Sequence, residues 1–435
     1  MEVIKLFSYS FLYSFCDTIS KNWRILMPKY SIIIPCYNGM PYVKSCVDSI
    51  INQNYTDYEL IISEDHSVDG TADYIDTLSN IPNITVLHCP KRMSMAEHWE
   101  WALSHAAGEW QMFVGQDDGL QNYFFELADK LIDICNKKKL DVIMSERAYY
   151  FWPGCEETYG EIKVLYRACN KYGILSVKKE MERCLWKDKL SYMDFPSMYT
   201  TSLIRKKFID KVIEKQKGKL FITHPQDANL AAVVTLFAKK YIKSYIPLGW
   251  VGSSVKSAGL AITLLNKKNE LGGEYLRTVN DSSLKRHPLS APFELSSFCL
   301  YYWSALLTVS EIHDKRIYKM LLDKKIKLKV FSLAYNDLKY ETNEYFDELL
   351  KKNNINIDEL KIKRTVIFKN YQKRKPLIIE RLFFKVFHII EKIWKALFEG
   401  KLNFCKDFMF QCNQNESSLN LFEFSKSIDN KLIKK

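Results

Sequence analysis

The chain has no C-x-x-C pair, although it contains 11 cysteines among its 435 residues. This spacing argues against a zinc site and against a disulfide-stapled secreted domain, and it fits a reducing cytosol. The sequence also lacks an apolar run of the ~20 residues that a membrane-spanning helix needs. Residues 1–28 are predicted to be an N-terminal extension that could form an interfacial helix. A signal peptide fits less well, because Glu2 precedes Lys5 and no small-residue cleavage site follows.

Acidic residues are outnumbered by basic ones, and the formal net charge is +12. This excess favours an anionic partner, such as a nucleotide, a phospholipid or a nucleic acid, without choosing among them. A length of 435 residues with 47% hydrophobic content is enough for a full core and for two domains.

Strand-like and helix-like segments alternate over residues 29–255. Apolar or β-branched runs predict strands, at residues 30–35, 58–63, 84–88, 110–114, 196–201 and 241–248. Amphipathic helices are predicted between most of them, whereas residues 145–192 show no secure pattern. Such alternation predicts an α/β fold with a mostly parallel sheet that is covered by helices on both faces.

Polar clusters follow three of the predicted strands, namely Tyr37-Asn38, Glu64-Asp65 and Asp117-Asp118. In parallel sheets, ligands bind beyond the carboxyl ends of the strands. Two adjacent carboxylates are costly unless a cation lies between them, and Mg²⁺ or Mn²⁺ with a diphosphate would supply one. The alternative is a surface turn, since Asp and Gly are common turn formers. Because three clusters converge on one sheet edge, the sequence favours the metal-diphosphate interpretation.

The order of these motifs resembles that of the family 2 inverting glycosyltransferases with the GT-A fold. The resemblance covers about residues 29–255, and its motifs are residues 32–38, 64–71 and 116–118, with a helix before the metal strand over 93–110. It implies a Rossmann-like mixed, mostly parallel sheet. Two departures stand out: Glu64 and His66 replace the first Asp and the Gly of the usual Asp-Asp-Gly-Ser, and Gly115 stands where an acid is usual.

The resemblance also implies a role for individual side chains. Asp65 would accept a hydrogen bond from a uracil-like base, and Arg92 would face the diphosphate through a planar donor fork that suits phosphate oxygens. Asp117, with Asp118, would hold Mn²⁺ or Mg²⁺ against the phosphates. The full set of nucleotide-binding candidates is Pro35, Tyr37, Asn38, Asp65, Arg92, Gln116 and Asp117. A helix-approach turn at Asp65, a packed core Tyr37 and a solvated Arg92 are the structural alternatives.

Asp227 is the candidate catalytic base. It follows Gln226 in the first turn of a predicted helix, where the positive end of the helix dipole favours a carboxylate. Inverting transfer needs one carboxylate to take the proton from the attacking hydroxyl, and in the resembled family an Asp at such a helix start has this role. A helix-capping Asp is the alternative, and His224 is predicted to be a packing residue of the loop.

The Gly/Ser-rich residues 249–259 are either a domain linker or a loop over the sugar diphosphate, with Trp250 packing an acceptor sugar. Beyond it, residues 256–412 are predicted to be a mostly helical, basic region, and residues 413–435 a mobile tail. Residues 361–401 contain twelve Lys or Arg against three Glu. Residues 380–400 therefore predict a helix that lies on an anionic membrane surface or packs within a domain or dimer interface.

The leading hypothesis is an inverting, metal-dependent glycosyltransferase that moves a sugar from a nucleotide donor, favoured as UDP-linked, to a hydroxyl of a surface polysaccharide, lipopolysaccharide or lipid-linked acceptor. Its expected location is the cytoplasm, with peripheral contact to the inner face of the membrane left open. A catalytically inactive sugar-nucleotide-binding scaffold is the alternative. Nucleic-acid binding is not expected, because the chain shows no recognised motif for it.

Overall fold

The computed structural model describes most of the chain outside its first 26 residues. The described residues are 27–186, 190–257, 277–280, 282, 284, 286–340, 343–360, 399–402 and 407–433. The predicted extension at 1–28 and the predicted membrane-seeking helix at 380–400 lie almost wholly outside these ranges.

A nine-stranded mixed sheet forms the centre of the fold, in the order β13-β9-β11-β6-β10-β4-β1-β2-β3. Its strands are β1 Tyr30–Cys36, β2 Tyr58–Glu64, β3 Ile84–His88, β4 Trp110–Phe113, β6 Val142–Ser145, β9 Lys171–Ser176, β10 Ser202–Arg205, β11 Lys240–Ser244 and β13 Glu399–Lys401. Strands β1 to β4 run parallel to one another, and β10 is antiparallel to both of its neighbours. The predicted α/β fold with a mixed, mostly parallel sheet is confirmed.

Five further strands form a second sheet, in the order β14-β8-β7-β12-β5. They are β5 Gly119–Leu120, β7 Ala148–Phe151, β8 Ile162–Ala168, β12 Gly249–Ser253 and β14 Phe408–Asn413. Strand β5 follows directly on Asp117 and Asp118, and β12 pairs with it. The second sheet therefore extends the fold at the point where the metal motif was predicted.

Helices cover both faces of the central sheet. They are α1 Tyr42–Ile51, α2 Thr71–Asp76, α3 Met95–Leu103, α4 Phe124–Lys138, α5 Glu156–Tyr159, α6 Val177–Trp186, α7 Lys206–Lys215, α8 Gln226–Phe237, α9 Phe298–His313, α10 Lys315–Leu322, α11 Lys324–Asp337, α12 Glu344–Lys352 and α13 Leu421–Ile433. Successive side chains of a strand point to opposite faces. Accordingly, Ile33 belongs to the core under α3, α8 and α9, whereas Ile32 and Ile34 belong to the core under α1 and α4.

The region after residue 256 is mostly helical, as expected, but it also supplies strands. Helix α9 is buried along nearly its whole length and packs against α8, so it is a core element. Strand β13 pairs with β9 and β14 with β8, which adds the region to both sheets.

The described part of residues 413–435 differs from the mobile tail that was predicted. Residues Leu421, Phe424 and Ile428 of α13 are at most 2% exposed. The Ser425 hydroxyl accepts a hydrogen bond of 2.8 Å from the backbone N–H of Asn122. The helix is held because these apolar residues recur on one face and are covered by α1 and β5. In the part of the chain that the structure describes, no helix is both long and apolar enough to cross a bilayer.

Candidate active site

The loops that follow β1, β2 and β4 meet at the carboxyl edge of the central sheet. The backbone N–H of Asp65 donates to the carbonyl of Cys36 at 3.0 Å. The Gln116 amide accepts from the backbone N–H of Tyr37 at 2.9 Å and donates to its carbonyl at 3.0 Å. The structure thus brings the three predicted polar clusters together, and Gln116 holds the first loop against the third.

Asp65, Arg92 and Tyr37 form one contiguous cluster. The Asp65 carboxylate is fully buried and accepts hydrogen bonds from the Arg92 guanidinium and from the backbone N–H of Met93. The guanidinium lies 3.6 Å from the centroid of the Tyr37 ring. Burial raises the pKa of Asp65 from its ordinary value, although Arg92 opposes the shift. Pro35 is half-buried at the end of β1. The cluster therefore presents the face of the Tyr37 ring beside the Arg92 guanidinium.

Asn38 holds the second loop in place. Its backbone N–H donates to the Ser67 hydroxyl at 2.9 Å, and its side-chain oxygen accepts from the N–H of Val68 at 2.9 Å. Asn38 therefore positions the backbone of the second loop, and Gln116 positions that of the first. The nucleotide contacts that the resemblance implies for these two residues stay predictions.

The two departures in the second motif have local explanations. His66 adopts a φ of 60°, the left-handed region that Gly adopts most readily. The Glu64 carboxylate is buried and accepts from the N–H of Ser67, which closes the turn. Its other oxygen lies 3.4 Å from His88 Nδ1. Glu64 therefore acts as a cap on the turn that presents Asp65.

Asp117 lies at the mouth of the site and is 8% exposed. Its Oδ2 accepts hydrogen bonds from the Ser254 hydroxyl at 2.8 Å and from the Ser257 hydroxyl. Its backbone carbonyl accepts from the Trp152 indole at 2.9 Å. Burial raises the pKa of its carboxyl.

Asp118 points inward and is fully buried. Its Oδ1 accepts from the N–H of Gly252 at 2.6 Å, and its Oδ2 accepts from the N–H of Gly115 at 3.1 Å and from the Thr200 hydroxyl. Burial and the neighbouring Asp117 raise its pKa to about 7. Both of its oxygens are engaged within the protein, as Asp117 Oδ2 is by Ser254 and Ser257, and its predicted metal-binding role stays a prediction. Asp118 joins β4, β12 and the segment before β10.

A divalent metal fits the site only if the phosphates of a bound substrate supply some of its ligands. Among the described residues, no group of three or more His, Cys, Asp or Glu side chains could hold a metal ion. Mg²⁺ is commonly bound by one or two carboxylates together with substrate phosphates and water. The predicted pair offers at most two such carboxylates, of which Asp117 is the more exposed, and Gly115 provides no ligand.

Residues 249–257 run along the site and do not behave as a free linker. Lys256 Nζ donates to Asp69 Oδ2 at 2.7 Å and to the Met40 carbonyl at 2.8 Å, while Ser254 and Ser257 bind Asp117. The loop alternative therefore fits these contacts better than the linker. The idea that Trp250 packs an acceptor sugar is wrong, since its side chain is fully buried in β12.

Asp227 stands in the first turn of α8. Its Oδ1 accepts from the N–H of Ala228 at 3.0 Å, and the Tyr192 hydroxyl donates to its carboxylate. Burial raises its pKa, and Arg147 opposes the shift. Burial raises the pKa of the Tyr199 hydroxyl, and the charges of Asp118, Asp117 and Asp227 add to the shift.

His224 is a packing residue, in agreement with its predicted role. Its side chain is 3% exposed, and its Nε2 lies 3.0 Å from the Ser282 hydroxyl. Burial lowers the pKa of this imidazole to about 4, so it is neutral at physiological pH.

Sequence reasoning missed most of the side chains that hold these carboxylates. They are Tyr192, Tyr199, Thr200, Ser254 and Ser257. The only signal available was the Gly/Ser-rich composition of residues 249–259, because contacts between distant segments leave no periodic pattern.

The Rossmann-like sheet, with carboxylates at the carboxyl ends of its strands, defines an α/β protein of the kind that binds ligands at this sheet edge. Residues 31–186 match the model of glycosyl transferase family 2. This part of the chain is therefore similar to family 2 glycosyltransferases, which confirms the resemblance found in the motifs.

The similar proteins share short stretches with the chain. A Bacillus subtilis protein assigned to teichuronic acid biosynthesis as glycosyltransferase TuaG is 29% identical over 134 residues, which are 31% of this chain and 48% of the relative. Chondroitin synthase of Pasteurella multocida is 35% identical over 105 residues, 24% of this chain and 11% of the relative. The chain thus matches about half or less of the length of these relatives. The solved structure of S. aureus TarS 1–349 superposes with a TM-score of 0.41 and 17% identity, over 75% of this chain and 90% of that one.

Proposed function

We propose that the protein is an inverting, metal-dependent glycosyltransferase that uses a nucleoside diphosphate sugar, favoured as UDP-linked. The observation that carries the proposal is the shared sheet edge, where Asp117 stands at the mouth beside the cluster of Asp65, Arg92 and Tyr37. The match of residues 31–186 to family 2 supports the reaction class.

The nucleotide would lie against the first cluster. The fully buried Asp65 is fixed by Arg92 and Met93, so its position is set before a ligand arrives. The exposed third of the Arg92 side chain and the face of Tyr37 are the surfaces that a base and a phosphate would meet. A guanidinium fork suits phosphate oxygens.

Asp117 would hold Mn²⁺ or Mg²⁺ together with the diphosphate oxygens. When bound, such a cation stabilises the negative charge that develops on the leaving nucleoside diphosphate. Asp118 would keep the Asp117 backbone in place from within the protein, through its bonds to Gly115, Thr200 and Gly252.

Asp227 would take the proton from the attacking hydroxyl of the acceptor. Its carboxyl lies at a helix N-terminus, is half-buried and has a raised pKa. A base whose pKa is shifted toward the working pH is better suited to proton transfer. The Tyr192 hydroxyl holds the carboxylate in one orientation.

The acceptor is proposed to be a hydroxyl of a bacterial surface glycan or of a lipid-linked saccharide. Similarity to proteins named for teichuronic acid biosynthesis and chondroitin synthesis supports a glycan. Membrane contact through residues 380–400 stays a prediction from their charge and aromatic content.

Calorimetric titration with a panel of nucleotide sugars, with and without Mn²⁺, tests the proposal. We expect one UDP-linked sugar to bind and Mn²⁺ to strengthen its binding. Asp117→Asn should abolish the effect of Mn²⁺. Asp227→Asn should bind the donor as the parent does but transfer sugar about 10²- to 10⁴-fold more slowly, the usual contribution of a general base.

The alternative of a catalytically inactive scaffold gains support from Gly115. Without an acid at position 115, the metal motif would provide Asp117 as its single ligand. The scaffold alternative predicts donor binding without any Mn²⁺-dependent hydrolysis or transfer. Absence of nucleotide-sugar binding under all conditions would contradict both functions.

A further inference from the structure

The segment that precedes β10 is drawn into the site in an unusual backbone conformation. Met198 and Thr200 have φ angles of 53° and 28°. Neither is glycine, and Thr200 is β-branched, so both conformations are disfavoured. Strain of this kind persists where the surrounding structure over-determines it, and it clusters at functional sites.

Two backbone hydrogen bonds hold this segment against β4. The N–H of Phe113 donates to the Met198 carbonyl at 2.8 Å, and the N–H of Thr200 donates to the Phe113 carbonyl at 2.7 Å. The Tyr199 ring stacks on Trp99, with centroids 5.4 Å apart. The segment is therefore fixed beside the last residue of the strand that leads to Asp117.

Both hydroxyls of the segment reach Asp118. The Thr200 hydroxyl donates to Asp118 Oδ2, and the Tyr199 hydroxyl donates to the same carboxylate. Hydrogen bonds to a charged acceptor in a buried setting are among the stronger ones. The strained backbone thus serves to place two donors on one buried carboxyl group.

The Tyr199 hydroxyl explains why position 115 in the metal motif is a glycine. A Cβ atom at position 115 would lie far inside van der Waals contact of the Tyr199 hydroxyl, and 2.8 Å from Asp118 Oδ2. Gly115 has an ordinary φ, so the need for glycine is steric. The volume that a side chain at position 115 would require is filled by Tyr199.

We propose that Tyr199 and Thr200 form a hydroxyl clamp on Asp118 that fixes the position of Asp117, and that this clamp occupies the space of an acid at position 115. Both are positioning residues, since they act through Asp118. The inference rests on the proposed function in taking Asp117 as the metal-binding carboxylate.

Tyr199→Phe removes the hydroxyl and keeps the ring on Trp99. We expect binding of UDP in the presence of Mn²⁺ to weaken roughly tenfold, the equivalent of one charge-assisted hydrogen bond. Binding of UDP without metal should not change, because the two hydroxyls bind Asp118 and not Asp65. Thr200→Val should behave in the same way.

Tyr302→Phe is the matched control. Tyr302 is fully buried, and its hydroxyl makes a 2.5 Å hydrogen bond to Thr235, far from the two aspartates in sequence. The Tyr302→Phe variant should lose about as much stability as Tyr199→Phe, yet it should bind UDP and Mn²⁺ as the parent does. If Tyr199→Phe also binds them as the parent does, the clamp is refuted.

A double-mutant cycle tests the clamp without any ligand. Gly115→Ala should lower the midpoint of urea unfolding in the parent, and it should lower it much less in the Tyr199→Phe background. An equal loss in both backgrounds would overturn the inference. If the parent binds no nucleotide, the proposed function fails, and the cycle still decides whether the hydroxyl excludes a side chain at position 115.

Discussion

Arg92 provides the sharpest test of how the nucleotide pocket is built. Its guanidinium is hydrogen-bonded to the fully buried Asp65 carboxylate and stacks on Tyr37. Arg92→Ala leaves that carboxylate buried with the backbone N–H of Met93 and without its cation. We therefore expect a loss of stability that a surface pair would not show.

The expected loss can be worked from the contacts. Removing one partner of a fully buried ion pair costs about 3–5 kcal/mol. The Arg92 side chain is 34% exposed, so solvent screening reduces the electrostatic part to about 2 kcal/mol. The lost stacking on Tyr37 adds about 0.5 kcal/mol. The free energy of unfolding at pH 7.5 should therefore fall by about 2–3 kcal/mol.

The loss should depend on pH in a defined direction. Burial already raises the pKa of Asp65 in the folded protein, and removal of Arg92 raises it further. A carboxyl with a raised folded pKa costs stability above that pKa, and the cost disappears as the pH falls and the folded state takes up a proton. The difference between Arg92→Ala and the parent should therefore be smaller at pH 5 than at pH 7.5.

Urea unfolding followed by tryptophan fluorescence measures both effects, provided that the m-value is unchanged. Lys206→Ala is the control, because Lys206 pairs with Asp210 at the surface at 2.8 Å and should cost at most about 0.5 kcal/mol. In an Asp65→Asn background, Arg92→Ala should cost much less, since no buried charge remains. A loss below about 0.5 kcal/mol, or an equal loss at both pH values, would refute this account of the pocket.

Two other contacts lead to further predictions. Lys256→Ala removes the only described anchor of its loop on Asp69. We expect less than about 1 kcal/mol of lost stability for a part-exposed pair but faster thermolysin cleavage within the loop, and unchanged cleavage would argue against the anchor. Phe424→Ala empties a site that is 2% exposed between α13 and the second sheet and should cost about 3–5 kcal/mol in thermal or urea unfolding. The half-buried Phe422 in the same helix is its control, and an equal, small loss for both variants would mean that α13 is not packed as described.

The strands that carry the site could be read from the sequence because their composition is unambiguous. The predicted strands at 30–35, 58–63 and 84–88 differ from β1, β2 and β3 by at most one residue at an end. β1 and β2 contain β-branched apolar runs that are buried on both faces, and such runs have few other uses in a chain. β3 lies at the edge of the sheet and exposes Thr85 and His88, but its alternation of β-branched and apolar residues still predicts a strand. The prediction that the polar clusters meet at one edge of the sheet followed from the parallel arrangement of the strands alone.

Residues 145–192 could not be assigned because their sheet is only partly buried. Strand β8 mixes aliphatic, aromatic and charged side chains, and its burial does not alternate strictly, since Lys163 and Val164 are both buried. This irregularity weakens the periodic signal. The partners of β7 and β8, namely β12 and β14, come from about 100 and 250 residues later in the chain. Pairing over such distances is decided by packing that a local pattern does not contain.

Residues 196–201 show how a strand-like composition can mislead. The prediction placed a strand there, and the structure begins β10 only at Ser202. Tyr199 and Thr200 are good strand formers, but their hydroxyls bind Asp118, and the backbone bends to let them do so. The tertiary hydrogen bonds outweigh the local preference at this point.

The carboxylates of the candidate site depend on distant segments of the described chain, including some beyond the residues that match family 2. Gly119 follows Asp118 directly, and a Cβ atom there would collide with Leu421 of α13. The Ser425 hydroxyl of the same helix lies 3.2 Å from the Leu120 carbonyl. Because α13 packs on the strand that leaves the two aspartates, a boundary at residue 255 does not separate the site from the C-terminal region. Helix α9 has the same relation to Asp227, since it packs against α8, the helix that begins at that residue's neighbour Gln226.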